Sequence, residues 1–444
     1  AGVGTGVNVT ASAVAGVNSG SGFLTTDVGR QIRIGDGYGI ITARTNTTVV
    51  VVTVTTAFAN ANANTDWSLG AFSTTTGFPS CVSFFEQRLV FAASINNPQT
   101  VYFSKSGDYE NMDANIGGTV ADDDAIIYTI ASNQVNAIRF MSSARTLIIG
   151  TAGGEFVVSG GGDNNAVTPT NIMIKKQSNH GAANVDAISV GNATLFLQRA
   201  KRKIRELAYN FDVDGYIAPD LTILAEHITE GNVVEMAYQE EPLAIIWCVR
   251  GDGQLIALTY QREQEVVAWH RHIIGGSFGT GNAVVESVAV IPTEDSEYEL
   301  YVVVKRTINN ITRRYVEYLH TFNFTETDNT SFNYLDSQLS LSKLQTTLTA
   351  GINATATTVP VASVSGLSTA GKIKIGGEII AYTGISTLNL TGCTRGQNST
   401  TAVAHLSGAV TKEVVNTISG LDHLEGQTVS ILADGATHPT KVVD

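Results

Sequence analysis

The sequence predicts an all-β protein with a propeller-like body, a small N-terminal β-barrel or sandwich, and an inserted small β-domain. Three observations carry that expectation. Valine, threonine and isoleucine are abundant, and 43 glycines accompany only 8 prolines, as expected of short strands joined by glycine-bearing turns. Apolar and polar residues alternate at period two in stretch after stretch, whereas helix-period stretches are scarce. Strand-like stretches recur from near Cys81, Ala137, Ala187, Val234 and Val284, at spacings of about 50 residues, within the range that propeller blades occupy.

The first domain is expected over residues 1–76. Gln31-Ile32-Arg33-Ile34 alternates, breaks at Gly35-Asp36-Gly37 and resumes at Gly39-Ile40-Ile41-Thr42, a hairpin signal because Asp-Gly supplies the positive φ angles of a tight turn. The Val/Thr run Thr48–Thr56 and Asp66-Trp67-Ser68-Leu69-Gly70 follow, enough strands for a small barrel or sandwich. The body is expected over 77–342. There Arg145–Gly150 leads through Gly153-Gly154 into Glu155–Val158, and Leu243–Val249 leads through Gly251-Asp252-Gly253 into Gln254–Leu258. Several antiparallel strands per repeat are what a blade requires; a large irregular β-sandwich shares most of this pattern and is the alternative.

One short helix is expected at Asp220–Thr229, where Asp220 can cap the following amides and Leu221, Leu224, Ala225 and Ile228 recur at helical spacing. An inserted module is expected over 343–413. Its core, Gln345–Thr411, is rich in Ala, Thr, Ser and Gly, and Lys372-Ile373-Lys374-Ile375, Gly376-Gly377 and Glu378–Tyr382 mark a hairpin. A surface loop tolerates such an insertion because loop-closure entropy rises slowly with length. Residues 414–444 return to the main body, and Lys441-Val442-Val443-Asp444 ends within a strand pattern, so the chain is expected to be a piece of a longer polypeptide.

At 444 residues, the chain accommodates two or three domains of roughly 150 residues. Hydrophobic residues make up 43%, an ordinary globular share, and no run of about 18 apolar residues appears. The 27 basic and 40 acidic residues leave a formal net charge of -13, which opposes gripping a phosphate backbone by counterion release. The same sign suits a conduit through which DNA slides without adhesion. Cys81, Cys248 and Cys393 lie far apart and read as buried small hydrophobes rather than a zinc or disulfide set. No secretory leader is visible.

Side chains with chemical potential are few. Trp269-His270-Arg271-His272 puts two imidazoles on one strand face, as a metal site uses, but no third ligand is signalled and they read as blade or subunit-contact residues. Arg199, Lys201, Arg202, Lys203 and Arg205 form the one dense basic cluster, a candidate contact for DNA phosphates or an acidic partner, or else a solvated hairpin. Asp122-Asp123-Asp124 and Asp212-Val213-Asp214-Gly215 offer oxygens to calcium but lack the later glutamate, and read as loop carboxylates. Gly160-Gly161-Gly162 and Gly275-Gly276 lack the lysine and βαβ setting of a phosphate loop. No nucleophile elbow is present; a glycosidase carboxylate pair is a three-dimensional question that sequence leaves open.

One phrase carries a resemblance. Gly77-Phe78-Pro79-Ser80-Cys81-Val82-Ser83-Phe84-Phe85-Glu86-Gln87-Arg88-Leu89-Val90-Phe91-Ala92, followed by Asn97–Phe103 and Ser104-Lys105-Ser106-Gly107-Asp108-Tyr109, resembles the tail nozzle proteins of podoviruses, also called tail tubular protein B or stabilisation proteins. Asp66-Trp67-Ser68-Leu69-Gly70, Gln198-Arg199 to Glu206-Leu207-Ala208-Tyr209, Asp220-Leu221-Thr222 to His227-Ile228, and Gly420-Leu421-Asp422-His423-Leu424-Glu425-Gly426-Gln427-Thr428-Val429 agree with it. The 343–413 insert, with Gly392–Gly396 and Ala404-His405, is similar to a small module of phage virion proteins and departs from the plain nozzle pattern.

The resemblance implies a virion structural protein: a ring of subunits, six by analogy, extending the tail below an adaptor ring, meeting tail fibres or other tail proteins, and conducting DNA non-specifically at ejection. It implies no catalytic residue, cofactor, metal or small-molecule substrate. The signature residues Phe84, Phe85, Glu86, Gln87, Arg88, Leu89, Phe91, Lys105, Ser106, Gly107, Asp108, Asp422, His423, Leu424, Glu425 and Gly426 read as a folding signature. Phe85, Leu89 and Phe91 are expected to pack between sheets, with Glu86 and Arg88 able to pair. The alternatives are a propeller enzyme that degrades host polysaccharide, which needs acids of raised pKa in a cleft, and a glycan-binding adhesin. The adhesin needs exposed aromatic platforms, and the insert offers only Tyr382.

Overall fold

Alternating valines and isoleucines pair with their nearest sequence neighbours to give a succession of antiparallel sheets. The structure, a computed structural model, describes residues 2–115, 119–131, 136–162, 165–294, 297–320, 336–338, 345–415, 417–433 and 436–444. Five strands, β1 Gly4–Thr10, β2 Gln31–Ile34, β3 Gly37–Arg44, β4 Val49–Thr56 and β5 Trp67–Leu69, form an N-terminal sheet in the order β1-β4-β3-β2-β5. Val50, Val52 and Val54 point inward at period two and close over Val17, Phe23, Ile32 and Ile41. The β2–β3 turn is Gly35-Asp36, one residue earlier than Asp-Gly suggests, and Gly35 supplies the left-handed φ of +57°.

The body repeats one unit. Its sheets are β6 Cys81–Phe85, β7 Arg88–Ala92, β8 Thr100–Phe103 and β9 Ile126–Thr129; β10 Ile138–Ser143, β11 Leu147–Thr151, β12 Gly154–Ser159 and β13 Met173–Ser178; β14 Ile188–Val190, β15 Ala193–Leu197, β16 Ile204–Asn210 and β17 Gly215–Ile217; and β18 Val233–Gln239, β19 Ile245–Arg250, β20 Leu255–Gln261 and β21 Val266–His272. Each is an antiparallel meander in sequence order. After the short hairpin β22 Ser277–Phe278 and β23 Gly281–Asn282 comes the three-stranded sheet β24 Val284–Pro292, β25 Tyr298–Ile308 and β26 Ile311–Leu319. First strands lie against first strands: β6 against β10, β14 against β18, and β18 against β24. That radial order is propeller-like, and the sheets begin within a residue of the recurrence read from the sequence.

Among the described residues Asp220–Thr229 is a chain of turns and not a helix. Its backbone groups are taken by neighbours: the Leu221 amide donates to the Ile204 carbonyl (3.0 Å), and the Leu221 carbonyl accepts from Trp269 Nε1 (2.9 Å). Asp220 does accept from the Thr222 amide at 2.9 Å, as a cap would.

The chain divides into two compact units, Ala1–Ile273 with Val284–Val304 and Tyr315–Thr321, and Ile274–Ala283 with Lys305–Arg314 and Phe322–Asp444. The second unit contains β27 Gln345–Thr347, β28 Thr358–Pro360, β29 Gly371–Ile375, β30 Glu378–Tyr382, β31 Gly384–Ser386, β32 Asn389–Thr391 and β33 Val410–Val414, in two small sheets. Ile373, Ile375, Ile380, Tyr382 and Leu390 share their core. The hairpin β34 Thr428–Ala433 and β35 Ala436–Val442 follows.

Glu378, fully buried, ties β30 to the loop between β32 and β33. It accepts two bonds from Arg395 (2.7 Å each), one from His405 Nε2 (2.8 Å) and one each from the Gly396 and Val403 amides (3.1 Å each). Burial alone raises its pKa, but Arg395, the Val403 amide, His405 and the Gly396 amide outweigh burial and bring the carboxyl down to about 2. Because the folded value lies below the ordinary 4.5, the stabilisation is complete above that pH and is lost as pH falls from there toward about 2. Glu378→Gln leaves Arg395 buried without its counter-charge and is expected to cost about 3 kcal/mol. Hydrogen exchange on the full chain checks this: amides of 345–415 should lose protection, and unchanged protection would contradict it.

Candidate functional site

The signature phrase folds as a hairpin and the loop it grips. β6 and β7 are joined by Glu86-Gln87, both left-handed at φ +45° and +61°, the geometry of a two-residue hairpin turn. The register opposes Phe85 to Arg88 and Phe84 to Leu89. Phe85, Arg88 and Val90 therefore share the core face, while Phe84, Leu89 and Phe91 occupy the other. The expected grouping of Phe85 with Leu89 and Phe91 is thus corrected: the short turn puts them on opposite faces. Leu89 and Phe91 are half-buried, Phe91 lying edge-on to Phe72 at 5.7 Å, and Phe84 is exposed beside Tyr109 at 5.4 Å.

Arg88 is the hub, at 3% exposure. Its Nη1 donates to the carbonyls of Ser104 and Asp124 (2.7 Å each), and Nη2 donates to that of Asp122 (2.8 Å). The expected Glu86–Arg88 pair does not form, because the turn points Glu86 outward, where it accepts the Val167 amide at 2.6 Å. Burial lowers the Arg88 pKa, with Asp123, Glu86 and Asp124 opposing; a guanidinium remains charged regardless.

The second half of the phrase closes on the first. Gly107 donates its amide to the Gln87 carbonyl (2.9 Å), and the Ser106 amide donates to the Asp123 carbonyl (2.9 Å). The Asp108 amide returns to the Lys105 carbonyl (3.2 Å), and Lys105 Nζ pairs with Asp123 (2.9 Å) and Asp124 (3.5 Å). The Ala121 amide donates to Asp124 at 2.8 Å and, more than any other cause, holds its pKa down. The acidic trio weighed for calcium is thus engaged with Lys105, Ala121 and Arg88.

The basic cluster does not act as one patch. It spans the β15–β16 turn, with Lys201 left-handed at φ +61° at the tip. Lys203 pairs with Asp220 (2.7 Å) and Glu226 (3.0 Å), while Arg205 donates to Gln198 (2.8 Å) and the Ala218 carbonyl (2.7 Å). Arg199 and Arg202 remain exposed. Asp422, His423 and Leu424 make a single turn in the second unit, followed by Glu425 and by Gly426, whose amide donates to the Val443 carbonyl at 2.9 Å. His270 and His272 do share a face: their rings are 2.8 Å apart between Nδ1 and Nε2, and His272 lies tilted against Trp247 with ring centroids 4.9 Å apart. Asp214 accepts the Tyr209 hydroxyl at 2.6 Å. Tyr382 is a core residue, donating to the Ser368 carbonyl at 2.9 Å.

Besides Asp27, which pairs with Arg30 at 3.0 Å, two fully buried carboxylates escaped the sequence reading. One is Glu378; the other is Glu155, which accepts from Ser178 and whose second oxygen has no partner among the described residues. Neither stands in a motif, since their partners come from distant stretches.

Arg88→Ala should leave the three carbonyls unsatisfied and destabilise the chain by about 3 kcal/mol or more. Arg88→Lys, a point charge that cannot fork to three acceptors, should recover less than half of that. Urea unfolding of the three proteins measures this, with hydrogen exchange loss expected at 104–125; wild-type stability of Arg88→Ala would refute the role.

Among solved structures, the Cps50 (Swd1) β-propeller domain of Myceliophteria thermophila is similar at 13% identity and TM-score 0.32, covering 71% of this chain and 87% of that one. An auxiliary nutrient binding protein from Bacteroides thetaiotaomicron is similar at 8% identity and TM-score 0.30 (69% and 80% covered), and a Lactobacillus plantarum protein at 10% and 0.31 (87% and 99% covered). No curated protein matches. The family described as bacteriophage nozzle protein matches residues 80–421, which contain the whole Arg88 constellation and the basic turn and end just before Asp422. The chain belongs to the bacteriophage nozzle protein family, and is a structural component of the virion tail.

Proposed function

We propose that this chain is a wall subunit of a short-tailed phage nozzle: a ring, six-membered by family analogy, below an adaptor ring and beside fibres or other tail proteins, through which DNA passes without sequence-specific contact. In this reading residues 1–76, 77–342, 343–413 and 414–444 are the N-terminal domain, body, inserted module and return, and no side chain carries out a reaction. The observation that carries it is the family match over residues 80–421, a stretch in which the buried Arg88 directs its hydrogen bonds to carbonyls of its own chain. The most conspicuous polar constellation closes the fold rather than facing a ligand.

Electrostatics supports the same reading. Burial works against ionisation at Asp27, Asp220 and Glu378, and is outweighed by donors led by Leu24, Lys203 and Arg395 respectively; the Ala121 amide acts likewise at Asp124. All four carboxyls are held down by donors within the fold, so none of these four has the raised pKa of a glycosidase acid. The net charge of -13 favours passage of DNA over its retention.

Negative-stain microscopy with light scattering of the purified chain tests the proposal. A ring with an axial hole is expected. A monomer that cleaves host polysaccharide would overturn it.

A further inference from the structure

We infer that the outer face of the β27-β33-β29-β30 sheet, where Lys372, Lys374 and Lys412 stand together, receives the phosphate backbone of duplex DNA. This deepens the reading above and rests on it for the DNA that reaches the face.

Charge divides unevenly along the chain. Residues 343–413 hold five basic and two acidic residues, whereas the remainder holds 22 and 38. The stretch therefore carries a formal charge of +3 against -16 elsewhere, and asymmetry of this kind points to an anionic partner for the basic part.

Folding sorts these charges further. On β29, Lys372 and Lys374 alternate with Ile373 and Ile375, which enter the core. β33 pairs Lys412 with Lys374 and Glu413 with Ile373, while Glu378 on β30 opposes Ile375. All three lysines consequently share the outer face, and both acids take the inner one, where Glu378 is bound to Arg395. Lys374 and Lys412 are exposed and form no ion pair among the described residues. Lys372 Nζ donates to Asn398 Oδ1 at 2.7 Å, a neutral partner that positions the ammonium and leaves its charge.

Like charges directly opposite on a ladder are destabilising, so the stability of the sheet does not account for Lys374 facing Lys412. The composition of the face identifies its partner. The other side chains on it are Gln345, Thr347, Val410, Val414, Ile379 and Ala381, with no aromatic, methionine or arginine among them. Protein interfaces are enriched in those absent types and depleted in lysine. Lysine is a point charge without the planar fork that selects one carboxylate or one base edge. Three such charges within about 7 Å suit a polymer whose charge is dense and evenly spread, and a duplex carries about four charges over that length of axis. Contacts of this type hold DNA without reading its sequence and let it slide.

Fluorescence anisotropy of a labelled mixed-sequence duplex, titrated with the full chain at graded salt, tests this. Log affinity should fall linearly with log salt, each lysine that meets a phosphate adding about 0.9 to the slope. Lys374→Gln combined with Lys412→Gln should remove about two thirds of that slope. The same double variant should unfold in urea no earlier than wild type, because the like-charge opposition is gone. Arg199→Gln with Arg202→Gln, on the exposed part of the basic turn, should leave the slope unchanged. No duplex binding, a slope insensitive to the lysine pair, or an equal loss from the arginine pair overturns the inference. Capture by phosphatidylglycerol vesicles in place of the duplex likewise overturns it and assigns the face to a membrane surface. Rings in negative stain without duplex binding would leave the wall reading intact and remove only this contact; lysine-dependent binding by a chain that forms no rings would do the reverse.

Discussion

A sheet that is apolar on both faces must be covered on both faces, and the body of this protein follows from that requirement. β11, β15 and β19 are buried along nearly their whole length. In β12, Phe156 and Val158 enter one core with Phe85 and Val90, while Val157 enters another with Phe196 and Leu207. Each such sheet thus serves two cores, and burying one large side chain contributes about 2 to 3 kcal/mol to each. Phe140 and Phe196 meet across one seam at 5.8 Å, and Gly150 makes room for Phe140, since a methyl group there would overlap its ring. Close packing of this kind transmits load with little compliance, as the proposed wall role requires.

Apolar packing cannot hold the loop between β8 and β9, which is polar and threaded through with aspartates. Arg88 supplies the missing cohesion. One cation at the foot of a strand collects three carbonyls, and Lys105 neutralises the carboxylates that crowd beside it. Charge-assisted bonds are shorter and stronger than neutral ones, and inside a dry environment they are costly to break. The family phrase is thereby explained as mechanics: the aromatic residues set the sheet, and the arginine sets the loop.

Much of the fold was legible because its signals are local. Strand starts were marked by apolar runs, and turns by glycine pairs such as Gly376-Gly377, although the expected Gly153-Gly154 turn falls one residue earlier, at Ala152-Gly153. Failures came where partners are remote. Arg88 finds its acceptors 16 and 36 residues away, so the neighbouring Glu86 seemed the natural partner. The faces of Phe85 and Leu89 depended on a turn of only two residues, and one residue more or less inverts a strand. Helical spacing at Leu221–Ile228 misled because the backbone there bonds to Ile204 and Trp269. The basic cluster looked dense in sequence, yet Lys203 and Arg205 are satisfied by groups from other stretches, and only space reveals that.

Electron cryomicroscopy of the assembled tail tests the central account most directly, because it shows both the wall and the side chains within it. Arg88 should lie inside its own subunit, enclosed by the carbonyls of Ser104, Asp122 and Asp124, with the body sheets forming the wall around the axial channel. Density showing Arg88 and Lys105 turned toward DNA or a bound ligand in a cleft would contradict the account.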